Sequence, residues 1–117
     1  MDSLKIEDFG FGWISVGGKR YSSDLVIYPD GRVEDAWRRS RGHRLKSDDI
    51  KELIESHPEV IIAGTGVSGM VTPDDALETQ LARRGITFEA IPNEQAVRRY
   101  NALIGTRRVG CCFHLTC

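Results

Sequence analysis

The sequence predicts an α/β domain in which antiparallel strands come first and an alternation of helices and strands follows. Three observations lead there. In the N-terminal third, short apolar and aromatic runs are separated by Gly17-Gly18 and by Pro29-Asp30-Gly31. Adjacent glycines supply the positive φ angles of a tight hairpin, while proline presets one φ and glycine accepts a positive one. From Ser47 onward, three stretches with apolar residues at helical spacing alternate with strand-like runs. One of those runs, Val60-Ile61-Ile62-Ala63, is uninterrupted and mostly β-branched, as expected of a strand buried on both faces of a parallel or mixed sheet.

Taken in order, residues 5–21 read as strands, with Trp13-Ile14-Ser15-Val16 and Lys19-Arg20-Tyr21 joined by the two glycines. Leu25-Val26-Ile27-Tyr28 is the next strand, and residues 32–37 return as its partner. Ser47 suits an N-cap, Asp48 and Asp49 suit the positive end of a helix dipole, and Ile50, Leu53 and Ile54 form the apolar stripe that His57-Pro58 ends. Thr72 is expected to cap a second helix with Pro73 in its first position and Ala76, Leu77 and Leu81 facing inward; Arg83-Arg84-Gly85 closes it. Ile86-Thr87-Phe88-Glu89-Ala90 follows as a strand. Asn93 is then expected to cap a helix over residues 94–104, buried through Ala96, Val97, Tyr100 and Ile104 and stopped by Gly105. Residues 108–116 read as a last strand, uncharged on both faces after Arg108, which predicts a position inside the sheet.

At 117 residues the chain suits one domain over residues 1–117. Hydrophobic residues at 40% and charged residues at 28% are those of a soluble globular protein, and a net charge of -1 argues against general nucleic-acid binding. No apolar run approaches the ~20 residues that span a bilayer, and Met1-Asp2-Ser3-Leu4 lacks the pattern of a signal peptide, so a cytoplasmic location and no membrane span are expected. Cys111, Cys112 and Cys117 all fall in the last seven residues. On one continuous strand Cys111 and Cys117 would stand about 20 Å apart, so reduced thiols are expected.

Tyr28-Pro29-Asp30-Gly31, then Ile62-Ala63-Gly64-Thr65-Gly66 with Pro73 following, then Phe113-His114-Leu115-Thr116-Cys117 together resemble the Mth-type domain family of unknown function. The resemblance covers almost the whole chain. It implies a three-layer fold with a mixed central sheet flanked by helices, plus an N-terminal antiparallel β unit, and no established enzyme activity. Eukaryotic relatives in that family include an adipogenesis-associated protein and a mitochondrial complex I assembly factor. With no complete catalytic constellation in the sequence, the expected function is an interaction or assembly-type role with a protein partner.

The alternative is a small anionic ligand, bound or turned over in a crevice at the glycine loop. Gly64, Thr65, Gly66, Ser68 and Gly69 lie in a G-x-G-x-x-G pattern, and Arg41 and His43 supply charge from a preceding loop. The surroundings argue against a dinucleotide or P-loop site: the expected helix starts after the last glycine, no lysine follows, and Asp74 and Asp75 occupy its positive first turn. No cofactor is expected. Residues 38–46 carry five fixed positive charges without interleaved aromatics, so nucleic acid is an unlikely partner and a solvated connector the simpler reading. Cys112 and His114 would share a strand face as a thiol–imidazole pair, but no third orienting group is visible. His114-x-x-Cys117 offers too few ligands on a strand for zinc, so no metal is expected. Trp37 suits either the core or the crevice wall.

Overall fold

The structure is a computed structural model that describes residues 4–117. Met1, Asp2 and Ser3, which carry most of the leader argument, lie outside the described residues. The chain opens with β1 (Ile6–Gly10), β2 (Trp13–Val16) and β3 (Lys19–Tyr21), an antiparallel three-stranded sheet. Gly17 and Gly18, at φ 59° and 84°, make the β2–β3 turn, and both angles are in the region that glycine enters without steric cost. Next come β4 (Leu25–Ile27) and β5 (Val33–Glu34), joined through the Tyr28-Pro29-Asp30-Gly31 turn, in which the Gly31 amide donates to the Tyr28 carbonyl at 2.9 Å. The return strand is shorter than the sequence predicts. After Glu34 the chain departs to Trp37, whose indole donates to the Asp49 carbonyl at 2.8 Å and packs on the core as a wall.

Beyond β6 (Arg44–Leu45), a 3-10 turn over Ser47–Ile50 leads into α1 (Lys51–Glu55). Lys46, not Ser47, occupies the cap position. Asp49 does the capping instead, its carboxylate accepting the Lys46 amide at 2.8 Å and the Ser40 amide at 3.0 Å. After β7 (Val60–Gly64), Thr72–Pro73 forms β8 and not the start of a helix. The Thr72 amide donates to His43 and the Asp74 amide to Leu45, so this stretch is held extended alongside β6; α2 (Leu77–Ala82) begins only at Leu77, with Ala76 as its N-cap. β9 (Thr87–Ile91), α3 (Asn93–Leu103) and β10 (Val109–Phe113) complete the order. Pro92 precedes α3, and Asn93 lies inside its first turn, its side chain directed elsewhere.

The central sheet is mixed, in the order β5-β4-β10-β7-β9, with β10 antiparallel to β4 and parallel to β7. Residue parity assigns the two faces. Ile27, Ile62, Cys111 and Phe113 pack beneath α3 and the N-terminal sheet, through Ala96, Tyr100, Ile6 and Ile14. Val26, Ile61, Ala63 and Cys112 pack against α1 and α2, through Leu53, Ile54, Leu77 and Leu81. This is the three-layer arrangement, and every residue of β7 and β10 is buried, as uncharged strands with two covered faces require. Among the described residues no helix is long and apolar enough to cross a membrane.

Because β10 carries hydrogen bonds to both neighbours, removing residues 111–117 takes away the strand that β4 and β7 share, leaves β4 paired with β5 alone, and uncovers both cores. Phe113 and Leu115 alone account for about 3–6 kcal/mol of apolar burial. The truncated chain is expected to be insoluble or to lack a cooperative thermal transition. A soluble monomer unfolding within a few degrees of the full chain would show that the sheet closes without β10.

Candidate functional site

Past Phe113 the chain leaves the sheet and is strapped down by three separate segments. The His114 amide donates to the Gly64 carbonyl at 3.0 Å, and the Leu115 amide to Asp24 Oδ1 at 2.8 Å. The Gly12 amide donates to the Leu115 carbonyl, Val67 to Thr116, and Met70 to Cys117, at 2.8, 2.7 and 3.0 Å. The expected strand over residues 108–116 therefore stops at Phe113, because the partners of the last four residues no longer lie along one ladder. Asn93 ties the arrangement together. Its amide oxygen accepts the Gly66 N–H at 3.0 Å, and its NH2 group donates to the His114 carbonyl at 2.7 Å. That double duty is why the side chain does not cap α3.

The glycine loop is shaped by this strap. A Cβ on Gly64 would run into the Phe113 ring and come within 2.7 Å of Asn93 Oδ1, and one on Gly66, at φ 116°, would strike the Cys117 backbone. The close approach of chain to chain thus accounts for both glycines. The amides of Thr65, Gly66, Val67, Gly69 and Met70 all donate within the protein. What the loop offers an anion is reduced to Ser68 and to side chains reaching in from outside.

A polar cluster sits where Asp24, just before β4, meets the end of β10. Asp24 Oδ2 lies 2.8 Å from His114 Nδ1 and 3.1 Å from Arg39 Nη1. Arg39 Nη2 is also 3.1 Å from His114 Nδ1, but a guanidinium only donates, so the shorter contact to the carboxylate assigns the proton to Nδ1. The Thr116 hydroxyl, 3.1 Å from Nε2, agrees with a lone pair on that nitrogen. The side chains of Arg39, His114 and Asp24 are only 5%, 11% and 18% exposed. Arg39 is further held over the Trp37 ring at 4.8 Å. A largely buried ion pair of this kind costs desolvation and rigidly orients the imidazole between its partners. His43 meets His114 edge to face at 5.7 Å, and Cys117 completes the group.

Of the residues singled out in the sequence, Gly64, Gly66 and His43 adjoin His114 in this cluster, while Thr65 bonds Ile91 and Val71. Gly69 packs against Pro92 and Thr65, Ser68 stands at the loop tip, and Arg41 is exposed, its carbonyl accepting the Arg44 amide. The third orienting group that the thiol–imidazole idea lacked is Asp24. The thiol beside His114 is Cys117, since Cys112 points into the opposite core. Asp24 and Arg39 carry no local signal, because neither lies in a motif and their pairing with His114 spans 90 and 75 residues of chain. A depression of about 560 Å³ lies at the amino ends of β7 and β9, between Glu55, His57, Glu59 and Arg84, at the opposite end of β7 from the glycine loop.

The three cysteines are free, with Cys111 and Cys112 buried and Cys117 exposed. Burial pushes the Cys112 thiol up to about 12 and Cys111 well above the ordinary thiol value, so both stay protonated and unreactive near neutrality. A maleimide in chelator-containing buffer is expected to modify one thiol per native chain, at Cys117, and all three after unfolding; rapid native labelling of a second thiol would contradict the burial. Asn93→Ala leaves the Gly66 N–H and the His114 carbonyl without their partner and should cost about 2–4 kcal/mol in urea unfolding. A loss below about 0.5 kcal/mol would mean that this link does not hold the strap.

A family model described as a protein of unknown function (DUF498/DUF598) matches residues 6–114. Among solved structures, a conserved hypothetical protein, PH1505 from Pyrococcus horikoshii OT3, is 26% identical with a TM-score of 0.85, over 97% of this chain and 99% of that one. The protein MT938 is 29% identical with a TM-score of 0.83, over 98% and 100%. A Bordetella pertussis protein described as a Mth938-like domain is 22% identical with a TM-score of 0.63, over 96% and 85%, a likeness of fold alone. With the family match running from β1 to His114 and the fold shared end to end, this chain belongs to the DUF498/DUF598 family of proteins of unknown function, the Mth-type domains that its motifs resemble.

Proposed function

We propose that this chain is an interaction or assembly-type domain without catalysis, and that it receives a partner protein on an apolar patch with a basic rim at the glycine-loop end. One observation supports this reading above the others. Among the described residues the large hydrophobic side chains that stand exposed are Phe11, Met70 and Val67, at 66%, 52% and 44%, and all three border the same four-residue strap. Phe11 precedes Gly12, which bonds Leu115, while Val67 and Met70 bond Thr116 and Cys117. Single exposed hydrophobics are ordinary, but three gathered around one segment form a patch of the kind kept for contact.

The rim defines the partner's chemistry. Arg38 and Arg41 are basic and, among the described residues, have no ion-pair partner, whereas Arg39 and Arg44 are paired with Asp24 and Asp74. Their loop is attached beside the patch through the His43 carbonyl and the Thr72 amide, two residues from Met70. The occupant that fits is a protein segment presenting apolar anchors flanked by carboxylates. A free small anion at Arg41, His43 and Ser68 is the weaker reading, since the five loop amides that would cradle it already have partners.

Affinity capture from the native host should compare the wild type with Phe11→Ser/Met70→Ser and with Arg41→Glu, all three showing the same circular dichroism and melting temperature. A partner bound by the patch is expected to drop about tenfold or more in the double variant and to weaken in the charge reversal. Identical recovery from wild type and double variant would overturn the proposal. A wild-type dimer in light scattering that the double substitution dissolves would assign the patch to a second copy and equally overturn a heterologous partner.

A further inference from the structure

Outside the docking patch, the group that the proposed function leaves unused is the set of His43, His114 and Cys117. Their ligating atoms all lie within 4.8 Å of one another. We propose that these three residues form a binding site for a borderline-soft divalent transition metal ion, zinc in the first instance, with Asp24 as the outer partner of His114. The inference stands on the geometry of this cluster and not on the docking reading.

Three features of the site converge on that chemistry. Two imidazoles and a thiol are the donor set that zinc takes with a water as fourth ligand, and that oxygen-preferring ions such as calcium and magnesium do not. His114 is already arranged as metal-bound histidines are: Nδ1–H is engaged by the Asp24 carboxylate at 2.8 Å, which orients the ring and leaves Nε2 as the donor. Asp24 is fixed in turn by Arg39 and by the Leu115 amide, so the outer partner is immobile before any ion arrives. The Thr116 hydroxyl, 3.1 Å from Nε2, occupies the position an ion would take and gives way by rotation.

The distances are also within reach. A tetrahedral ion with bonds of about 2.0–2.3 Å places its ligand atoms roughly 3.3–3.8 Å apart, so closing the set takes about 1 Å of movement. His43 and Cys117, the two members that must move, are both exposed, while His114 stays fixed. The expectation of no metal rests on a two-ligand His114-x-x-Cys117 set held on a strand. In the structure the strand ends at Phe113, and His43, 71 positions before His114, supplies the third donor. An ion there would clamp the basic loop onto the strap and stabilise the folded state by mass action.

Titration of the reduced, chelator-treated full chain with Co2+ tests the site directly. One Co2+ per chain is expected, with the strong visible absorption of a tetrahedral ion and a near-ultraviolet sulfur-to-cobalt charge-transfer band, both lost on adding Zn2+. Cys117→Ser should abolish the charge-transfer band and His43→Ala should weaken binding at least tenfold. Both positions are exposed, so these variants report on ligation even if substitutions at His114 fail to fold. Asp24→Asn should weaken Zn2+ binding about 10–100-fold, the effect of losing an outer carboxylate on a ligating histidine. A pale octahedral spectrum without the sulfur band, or wild-type affinity retained in both Cys117→Ser and His43→Ala, overturns the proposal.

Discussion

The architecture depends on the insertion of β10 between β4 and β7. That one strand carries an antiparallel ladder on one edge and a parallel ladder on the other, Cys111 facing Ile27 across the first and Ile62 across the second. Its two faces supply both cores, with Val109, Cys111 and Phe113 beneath α3 and Cys112 beneath α1 and α2. Pairing on both edges is available only after both neighbours are in place, and the strand is last in the chain. The N-terminal β4–β5 unit and the α/β half are therefore joined into one sheet by the final element. Gly110 shows how tightly it fits, since a Cβ there would lie 2.5 Å from Leu53 Cδ1.

The same insertion builds the site. Once Phe113 is seated, the following residues emerge at the carboxyl end of the parallel strands, where loops after β7 and β9 also arrive and where α/β sheets place their ligand sites. The strap of residues 114–117 accepts hydrogen bonds from the β1–β2 turn and the glycine loop and donates one to Asp24, so chain segments from both halves of the protein meet there. Asp24, Arg39 and His114 form a largely buried charged group that a purely apolar edge would not need. Its cost is offset by the ion pair, by the Leu115 amide and by the stacking of Arg39 on Trp37. The result is a rigid imidazole beside an exposed thiol and a second, exposed imidazole, bordered by the apolar side chains of the loops.

The glycine loop shows how one sequence pattern serves two readings. Gly64-Thr65-Gly66-Val67-Ser68-Gly69 has the spacing of a phosphate-binding turn, yet the space beside Gly64 and Gly66 is filled by Phe113, Asn93 and the Cys117 backbone. Backbone approaching backbone and backbone approaching a phosphate demand the same absence of a Cβ. The spacing alone does not say which is meant. Helix starts are ambiguous for a related reason: Thr72-Pro73 has the composition of a cap, but its backbone groups are more fully satisfied by pairing beside β6.

From its residues alone this chain determines what local physics can decide. The glycine pair sets the β2–β3 hairpin, Tyr28-Pro29-Asp30-Gly31 sets the β4–β5 turn, and apolar spacing places three helices and two strands buried on both faces. The lack of charge along β10 even announces its place inside the sheet. Tertiary structure decided where those pieces meet: which neighbours β10 takes, where it ends, and that Asp24, Arg39, His43, His114 and Cys117 share one corner. Those contacts join residues as distant as Asp24 and His114, 90 positions apart, and Asp24 and Leu115, 91 apart, so no window of sequence contains them. They follow from the order in which strands are laid into the sheet, which is set by the burial of both faces at once and not by the preference of any single segment.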